Sequence, residues 1–459
     1  MSDGMNTLNS IVDIVLSYKP SAKIKTPLKK NSSKNKSQKI TTVTFIDLFS
    51  GMGGTRVGFE QACWTKRIKA ECVFSSDIKE HAITAYKHNF GESEEVSGDI
   101  TAIPPSEIPD FDYLLAGFPC QPFSSAGKRN GFLDKRGGLF FAIVNILKIK
   151  NPKGFLLENV EGLASHNRGL TLKTIVEQLE LLGYKVTWRV LDASKFGVPQ
   201  QRKRIYIVGH RGKNIDLNNF DETCINVEDI IEHDAPIEHT KFTKLLSGKF
   251  NPEQLHGKAI KDKRGGNNNI HSWDLELKGA VTKDQRELLS LILKQRRYKK
   301  WAKAKGITWM DGMPLTYKEI LTFYSHPQLK TMLEDLRVKG YLTFEHPKEA
   351  VSRNGLNIRE PALHAPKGYN IVAGKLSFPI VKILDPKGLA PTLVATEYGK
   401  IAIATRNGVR KLTVREGLRL SGFPEGYNLN NLPYREAFDL IGNTVMPPVI
   451  QAVSLRLLK

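Results

Sequence analysis

The residue best placed to do chemistry in this sequence is Cys120, which stands between Pro119 and Pro122 in the segment GFPCQPFS (residues 117–124). A thiolate is a strong nucleophile, and two prolines stiffen the loop that carries it. The loop follows a predicted strand, so the thiol would project from the edge of a sheet. The other three cysteines have no such surroundings and are predicted to be small buried residues: Cys63, Cys72 and Cys224.

A glycine-rich loop, DLFSGMGG (residues 47–54), lies where a predicted strand passes into a helix. Glycines at that place allow a tight turn and a close approach of the backbone to a ligand. Asp77 ends the next predicted strand, where it is placed to hold ribose hydroxyls. Both nicotinamide-dependent oxidoreductases and S-adenosylmethionine-dependent methyltransferases have this geometry. The G-x-G-G spacing lacks the third glycine of the dinucleotide fingerprint and disfavours the oxidoreductases. A tight turn without a ligand is the alternative.

The elements that must position these residues alternate between strands and helices over residues 41–210. Continuous apolar runs of the kind found in buried parallel strands alternate with helical patterns. The strands are predicted at 41–49, 71–77, 111–117, 154–159, 185–192 and 204–209, and the helices after residue 54 and at 79–89, 139–149 and 171–182. This alternation predicts an α/β domain with a mostly parallel sheet and helices on both faces.

Three further segments surround this domain. Residues 1–40 hold eight lysines and no acidic residue between Lys19 and Lys39, which predicts a mobile basic arm that either tethers nucleic acid or only aids solubility. Strand–helix alternation stops after Arg211, so residues 211–387 are predicted to form a second, mixed domain. Residues 388–459 have the pattern of core material again and are expected to return to the first domain.

Two stretches of the second domain have distinctive patterns. Residues 283–337 are rich in helical signals and are interpreted as a winged-helix-like insert. Within them, residues 294–305 contain seven Lys and Arg together with Tyr298 and Trp301. This basic segment is either a phosphate contact or an exposed helix face.

Composition narrows the class of protein. The chain of 459 residues is 40% hydrophobic and 25% charged, which is ordinary for a globular protein, and no apolar run is long enough to predict a membrane span. The net charge of +21 favours a polyanionic partner, nucleic acid before an anionic membrane surface. Cysteines without C-x-x-C spacing argue against a zinc site or a disulfide scaffold, and no signal peptide is recognised, so a cytoplasmic location is expected.

Five motifs follow one another along the chain: FIDLFSGMGG, PCQ, ENV, QQRKRIY and GNTVMPP. Their order and spacing closely resemble the cytosine-5 DNA methyltransferases, typically those of bacterial restriction–modification systems, over residues 44–210 and about 388–455. The unmatched stretch looks like the variable target-recognition domain of that family. By the same resemblance, residues 415–427 support the recognition domain and residues 389–393 precede that supporting segment. The implied fold is the Rossmann-like sheet of S-adenosylmethionine-dependent methyltransferases.

The resemblance implies a covalent mechanism. Cys120 matches the nucleophile that attacks carbon 6 of cytosine and makes carbon 5 able to accept a methyl group. Glu158 matches the carboxyl group beside ring nitrogen 3, and its pKa should be raised if it delivers a proton near neutral pH. Arg202 matches an arginine that contacts oxygen 2 of the base, and Arg204 matches one that supports the site. No residue is assigned to remove the proton from carbon 5.

The implied cofactor is S-adenosyl-L-methionine, and no metal is expected. Asp77 matches the acid that holds the ribose, and Asp99 matches the acid that accepts from the adenine amino group, with Ile78 and Ile100 as apolar flanks. The remaining matches line the methionine end of the cofactor or return to the pocket from the C-terminal segment: Phe49, Gly51, Gly53 and Gly54, and Asn443 and Val445.

The implied partner is double-stranded DNA, from which the target cytosine must be flipped into the pocket. A basic cleft between the domains is expected to hold the duplex, with phosphate contacts setting the register and the second domain reading base edges. A cognate restriction endonuclease encoded nearby is not expected to bind stably, no membrane association is expected, and the family implies a monomer. The target sequence is not readable from the chain.

Two other functions compete with this interpretation. Transfer-RNA cytosine-5 methyltransferases share the PCQ and ENV motifs but have a short recognition region, and the roughly 175 residues between the motifs here favour the DNA enzymes. A catalytically silent nucleic-acid-binding module is disfavoured because every expected catalytic residue is present.

Binding to duplex DNA should weaken steeply with salt, because neutralised phosphates release their counterions. We expect the affinity for a fluorescent duplex to fall by a factor of about 10³ or more between 50 and 200 mM salt if six or more phosphates are contacted. Fluorescence anisotropy measures this directly. An affinity that stays constant across the titration would contradict the expected basic cleft.

Overall fold

The computed structural model describes residues 41–119, 138–262, 268–307, 312–353, 356–372, 378–395 and 398–459. The predicted basic arm and Cys120 therefore lie outside the described residues. The chain divides into two compact units. The first contains the described residues up to Ala235 together with Pro386–Tyr398 and Leu412–Lys459, and the second contains Pro236–Asp385 and Gly399–Lys411.

A seven-stranded sheet forms the centre of the first unit. Its strands are β1 (Thr42–Leu48), β2 (Lys69–Ser76), β3 (Val96–Ser97), β4 (Tyr113–Gly117), β5 (Gly154–Val160), β6 (Lys185–Asp192) and β7 (Lys203–His210). They stand in the order β3-β2-β1-β4-β5-β7-β6. Only β7 runs against its neighbours, pairing antiparallel with β5 and β6. The mostly parallel sheet predicted from the apolar runs is confirmed.

Helices cover both faces of this sheet because its strands are apolar on both sides. The first four are α1 (Gly54–Thr65), α2 (Glu80–Phe90), α3 (Gly138–Lys150) and α4 (Leu170–Leu181). Successive residues of β1 point to opposite faces, so Phe45 packs in a cluster with α1 while Ile46 packs in another with α3 and α4. Of the cysteines predicted to be buried, Cys63 lies in the core, whereas Cys224 is exposed.

The second unit has two parts. One contains α5 (Lys241–Lys249), α6 (Pro252–Leu255), β8 (Ala259–Ile260) and β9 (Asn269–Ile270). The other contains α7 (Lys283–Gln295), α8 (Lys299–Ala304), α9 (Tyr317–Leu321), α10 (Leu329–Val338), β10 (Leu342–Glu345), β11 (Lys348–Arg353), β12 (Leu356–Pro361) and β13 (Gly368–Ile371). Strands β14 (Lys382–Ile383), β15 (Ile401–Thr405) and β16 (Gly408–Lys411) complete a five-stranded sheet in the order β16-β15-β14-β8-β9.

The C-terminal residues Leu412–Lys459 belong to the first unit. They form α11 (Val414–Arg419), α12 (Tyr434–Asn443) and α13 (Pro447–Leu457). Helix α13 packs so closely on α1 that a Cβ on Gly58 would lie 2.5 Å from the carbonyl oxygen of Pro447. The contact therefore requires a glycine at this position of α1.

The domain boundaries differ from the predicted ones at two places. Residues 211–235 stay with the first unit, where Ile215 and Leu217 are buried in its core, although their sequence lacks strand–helix alternation. Residues 399–411 belong to the second unit because β15 pairs with β14 and β16 extends the same sheet. In the part of the chain that the structure describes, every helix is too short or too polar to span a membrane.

Candidate active site

A cavity of about 600 Å³ opens in the first unit beyond the carboxyl ends of β1, β2, β4 and β5. This volume is typical of pockets for small molecules and cofactors. Twelve of the fourteen predicted site residues line it: Phe49, Gly51, Gly54, Asp77, Ile78, Asp99, Ile100, Glu158, Arg202, Arg204, Asn443 and Val445. Gly53 does not line the cavity, and Cys120 lies outside the described residues.

The glycine loop leaves β1 in a left-handed conformation. Phe49 has φ of 53°, an unfavourable value for a bulky residue, and Gly53 has φ of 81°. Hydrogen bonds from Ser50 N to Ser76 O (3.0 Å) and from Gly53 N to Ser50 O (2.7 Å) hold this turn in place. A Cβ on Gly53 would lie 2.3 Å from the ring of Phe90, so the packing of this loop against α2 requires a glycine here. Strain of this kind is commonly found at functional sites.

Asp77 and Asp99 present carboxylates beside the loop. Asp77 accepts from Gly51 N (2.7 Å) and from Lys79 N (2.9 Å), one bond on each oxygen. Asp99 accepts from the backbone and hydroxyl of Thr101, both on Oδ1. A carboxylate offers about four acceptor positions. Both groups therefore keep acceptor capacity for ligand hydroxyl or amino groups.

Two apolar side chains border the same part of the cavity. Ile78 is 74% exposed although it is a large hydrophobic residue, whereas Ile100 is buried. An exposed isoleucine in a pocket is suited to cover a flat apolar ligand surface. Together with the free acceptor positions on the two aspartates, it fits an adenosine group.

Glu158 lies at the end of β5, in register with Gly117 at the end of the neighbouring β4. The strand that leads to Cys120 therefore ends beside this carboxyl group. Glu158 is buried, and its Oε1 lies 3.2 Å from Nε of Arg204. Burial raises the pKa of Glu158, and the charges of Arg204 and Arg202 oppose that rise. A raised pKa makes the carboxyl group better able to hold and deliver a proton near neutral pH.

Asn159 is a site residue that the sequence analysis missed. Its Nδ2 donates to the carbonyl oxygen of Phe118 (3.0 Å), and its Oδ1 accepts from Val160 N (2.8 Å). The side chain thus ties the end of β5 to the first residues after β4. A buried amide directly after Glu158 in the ENV motif was the available signal, because buried polar groups must find partners.

Arg202 and Arg204 occupy different environments. Arg202 is only 3% exposed and donates to three carbonyl oxygens, those of Leu393 (3.1 Å), Gly442 (3.1 Å) and Thr444 (2.7 Å). Burial, followed by repulsion from Arg204, lowers the pKa of Arg202 to about 10. Three of its N–H donors are thus engaged by the protein itself, whereas its Nε has no hydrogen-bond partner among the described residues. Arg204 is the arginine paired with Glu158. Both arginines line the cavity, so the contact of Arg202 with oxygen 2 of the base and the supporting role of Arg204 stay predictions.

Asp47, the first residue of the DLFSGMGG segment, is fully buried beneath the glycine loop. Its carboxyl group accepts from Thr55 Oγ1 (2.5 Å) and from Tyr86 OH (3.4 Å). Burial raises the pKa of Asp47 to about 7, although the hydrogen bond from Thr55 and the charge of Arg56 act against it. Asp47 thereby anchors the start of α1 to the strand that precedes the loop.

Nowhere in the described ranges do three or more His, Cys, Asp or Glu side chains lie close enough together to hold an ion.

Comparison with known proteins places this geometry in a family context. The sequence profile of the C-5 cytosine-specific DNA methylases matches residues 43–459. The Type II methyltransferase M.NlaIV of Neisseria lactamica is 53% identical over 423 residues, which cover 91% of this chain and 99% of that protein. M.NgoBV of Neisseria gonorrhoeae has the same identity and coverage. M.BanI of Aneurinibacillus aneurinilyticus is 41% identical over 390 residues, covering 80% of this chain and 84% of that protein.

The different environments of the two arginines predict different effects on stability. Arg202→Met should lower the free energy of unfolding of the first unit by about 3 kcal/mol, because three buried carbonyl groups lose a charged donor. At two to four degrees per kcal/mol, this is a fall in melting temperature of about 6–12 °C. Arg204→Met should lower the melting temperature less, because Arg204 is less buried and Glu158, whose pKa is raised by burial, can take up a proton when the cation is gone. Differential scanning calorimetry of both variants measures the melting temperatures. An equal fall in both variants would contradict the different environments of the two arginines.

Proposed function

The chain belongs to the C-5 cytosine-specific DNA methylase family, and from this premise we propose that it methylates carbon 5 of cytosine within a specific DNA sequence. The observation that carries the proposal is that one cavity is lined both by Asp77 and Asp99, which suit a cofactor, and by the Glu158–Arg204 ion pair. The relatives named as Type II methyltransferases align over nearly their whole length, including the second unit. We therefore place the enzyme in a restriction–modification system, where it protects host DNA.

The proposed methyl donor is S-adenosyl-L-methionine, which supplies an electrophilic methyl group on a sulfonium when it is bound. Ile78 covers one face of the adenine, and Asp99 accepts from its amino group through the oxygen that Thr101 leaves open. Asp77 binds the ribose hydroxyls and also fixes Gly51 of the loop. Asn443 and Val445 border the pocket from the C-terminal segment.

The proposed reaction begins at carbon 6 of the flipped cytosine. The thiolate of Cys120 forms a bond to carbon 6, while Glu158 donates its proton to ring nitrogen 3, so that electron density moves to carbon 5. Arg202 donates to oxygen 2 of the base, and Arg204, beside Glu158, supports the site. Carbon 5 then takes the methyl group, which leaves S-adenosylhomocysteine, and ring nitrogen 3 returns its proton to Glu158. Water takes the proton from carbon 5 as the bond from carbon 6 to sulfur breaks, which restores the double bond of the base and releases the thiolate of Cys120. Arg202 keeps the C-terminal segment in place throughout.

The proposed substrate is double-stranded DNA, and the enzyme acts on it as a monomer in the bacterial cytoplasm, where host DNA lies. A cognate endonuclease is a separate protein that recognises the same sequence. The second unit supplies the residues that read base edges, because the first unit is occupied by the cofactor and base pockets. This division matches the usual separation of phosphate contacts from base contacts in protein–DNA recognition.

Bisulfite sequencing of plasmid DNA from a methylation-deficient host tests the proposal. Expression of the chain should protect cytosines within one short sequence motif and nowhere else. Cys120→Ala should abolish the protection, because no other group supplies the covalent step. Protection that survives this substitution would contradict the mechanism, and methylation of transfer RNA instead of the plasmid would contradict the substrate.

Glu158→Gln should reduce the methylation rate by a factor of about 10² to 10⁴, because an amide of the same shape has no proton to deliver. The wild-type rate should also fall as the pH rises above the raised pKa of Glu158, since the ionised carboxylate is then not a proton donor. Single-turnover kinetics with tritiated cofactor across a pH series measures both effects. Glu161→Gln is the matched control, because this neighbouring side chain is exposed. An equal loss in both variants would overturn the role of Glu158.

A further inference from the structure

The second unit contains an insertion with its own hydrophobic core. Residues of the five-stranded sheet and its helices, such as Leu246, Ile260 and Ile383, form one buried cluster. A separate cluster is built from the helices and strands between Trp273 and Ile371. The chain therefore leaves the five-stranded sheet after β9, builds a second core, and returns at β14.

The strand pairing identifies the type of module. Leu315 and Tyr369 exchange two backbone hydrogen bonds of 2.9 and 2.8 Å in an antiparallel bridge, and β13 pairs antiparallel with β10. The strand order is thus Leu315, β13, β10, with the hairpin of β11 and β12 between the two last strands in sequence. Helices α9 and α10 lie between the first strand and β10. This is the connectivity of a winged helix, and it extends the predicted insert from residue 337 to residue 371.

Helix α10 has two distinct faces. Leu329, Met332, Leu333 and Leu336 are buried in the insertion core. The opposite face is exposed and carries side chains three and four residues apart: Lys330, Thr331, Glu334, Arg337 and Val338. Arg337 Nε contacts both carboxylate oxygens of Glu334 at 2.9 and 3.0 Å. The helix is fixed from its other side, where Gln285 of α7 donates to Asp335 (2.7 Å).

We propose that the outer face of α10 enters the major groove of duplex DNA and reads base edges there, with the β11–β12 hairpin on the adjacent phosphates. The inference rests on the proposed function and names the surface that performs its recognition step. In a helix-turn-helix, the second helix is the one that occupies the groove, and α10 holds that position after α9.

The charge of the insertion and the side chains of α10 favour DNA as the partner of this face. Residues 283–371 contain seventeen Lys and Arg against nine Asp and Glu, so this insertion carries a surplus of positive charge that suits a polyanion. Arginine matches the acceptors of guanine, glutamate accepts from the amino group of cytosine, and threonine and valine can contact the thymine methyl group. The outer face of α10 holds all of these types. In the hairpin, Lys348 and Arg359 are exposed and suited to phosphate contact.

The basic segment 294–305 contributes fewer cations to the surface than its sequence indicates. Arg296 is buried and donates to the carbonyl oxygen of Ile371 (3.2 Å), and Lys305 is buried in an ion pair with Glu319. Trp301 is also buried in the core. Two of the seven cations therefore hold the insertion together instead of facing a partner.

The test uses the full-length protein and the double variant Lys330→Ala/Arg337→Ala. Its matched control is Lys148→Ala/Lys173→Ala, which removes the same charge from exposed positions on helices α3 and α4 of the first unit. Anisotropy measures affinity for a duplex that carries the methylated motif and for a scrambled duplex. Calorimetry measures binding of S-adenosylhomocysteine and the melting temperature.

We expect the α10 double variant to lose at least tenfold in affinity for the motif duplex and to discriminate less between the two duplexes. Its cofactor-product affinity and melting temperature should match those of the wild type, and the control variant should bind DNA normally. Unchanged DNA affinity, or an equal loss in the control, would overturn the proposal. So would a wild-type preference for transfer RNA or a failure to bind duplex DNA. If the wild type binds duplex DNA through α10 but methylates none, the proposed function fails while this inference stands.

Discussion

The active site depends on one buried guanidinium. Arg202 lies immediately before β7 and donates to carbonyl oxygens of Leu393, Gly442 and Thr444, which lie some two hundred residues further along the chain. A buried cation is costly unless it is well paired, and carbonyl oxygens of fixed backbone supply that pairing. Because Gly442 and Thr444 flank Asn443, the same hydrogen bonds determine where the C-terminal side of the cavity lies.

Gln200 strengthens this link from the same segment. Its side chain donates to the carbonyl oxygen of Leu420 (2.7 Å) and accepts from Leu393 N (3.0 Å), and it is fully buried. The QQRKRIY motif thus holds the C-terminal segment in place, in addition to supplying Arg204 beside Glu158. The antiparallel direction of β7 explains how one strand does both tasks. Its pairing with β5 sets Arg204 opposite Val160, so the second arginine reaches Glu158 while the first stays with the C-terminal segment.

The local features of this protein were predictable from its sequence, and the long-range ones were not. Apolar runs located β1, β4 and β5 within two residues, because buried parallel strands must be apolar throughout. The motifs likewise predicted which residues line the cavity. The steric need for a glycine at position 53 was not predictable, because it depends on the ring of Phe90, which packs against this position. The three carbonyl partners of Arg202 were hidden too, since they lie far along the chain and have no sequence signature.

The domain boundaries could not be predicted from the sequence for a related physical reason. Strand β14 has two residues and β8 has two, so neither produces a periodic pattern, yet both are needed to pair β15 with the second unit. The chain consequently enters the second unit twice, once from Pro236 and once from Gly399.

The winged-helix insertion lies within the first of these two segments and has its own core. A separate core lets the outer face of α10 change without disturbing the five-stranded sheet, and the hydrogen bonds of Arg202 lie wholly within the other unit. The insertion and the cavity are therefore stabilised by different sets of interactions.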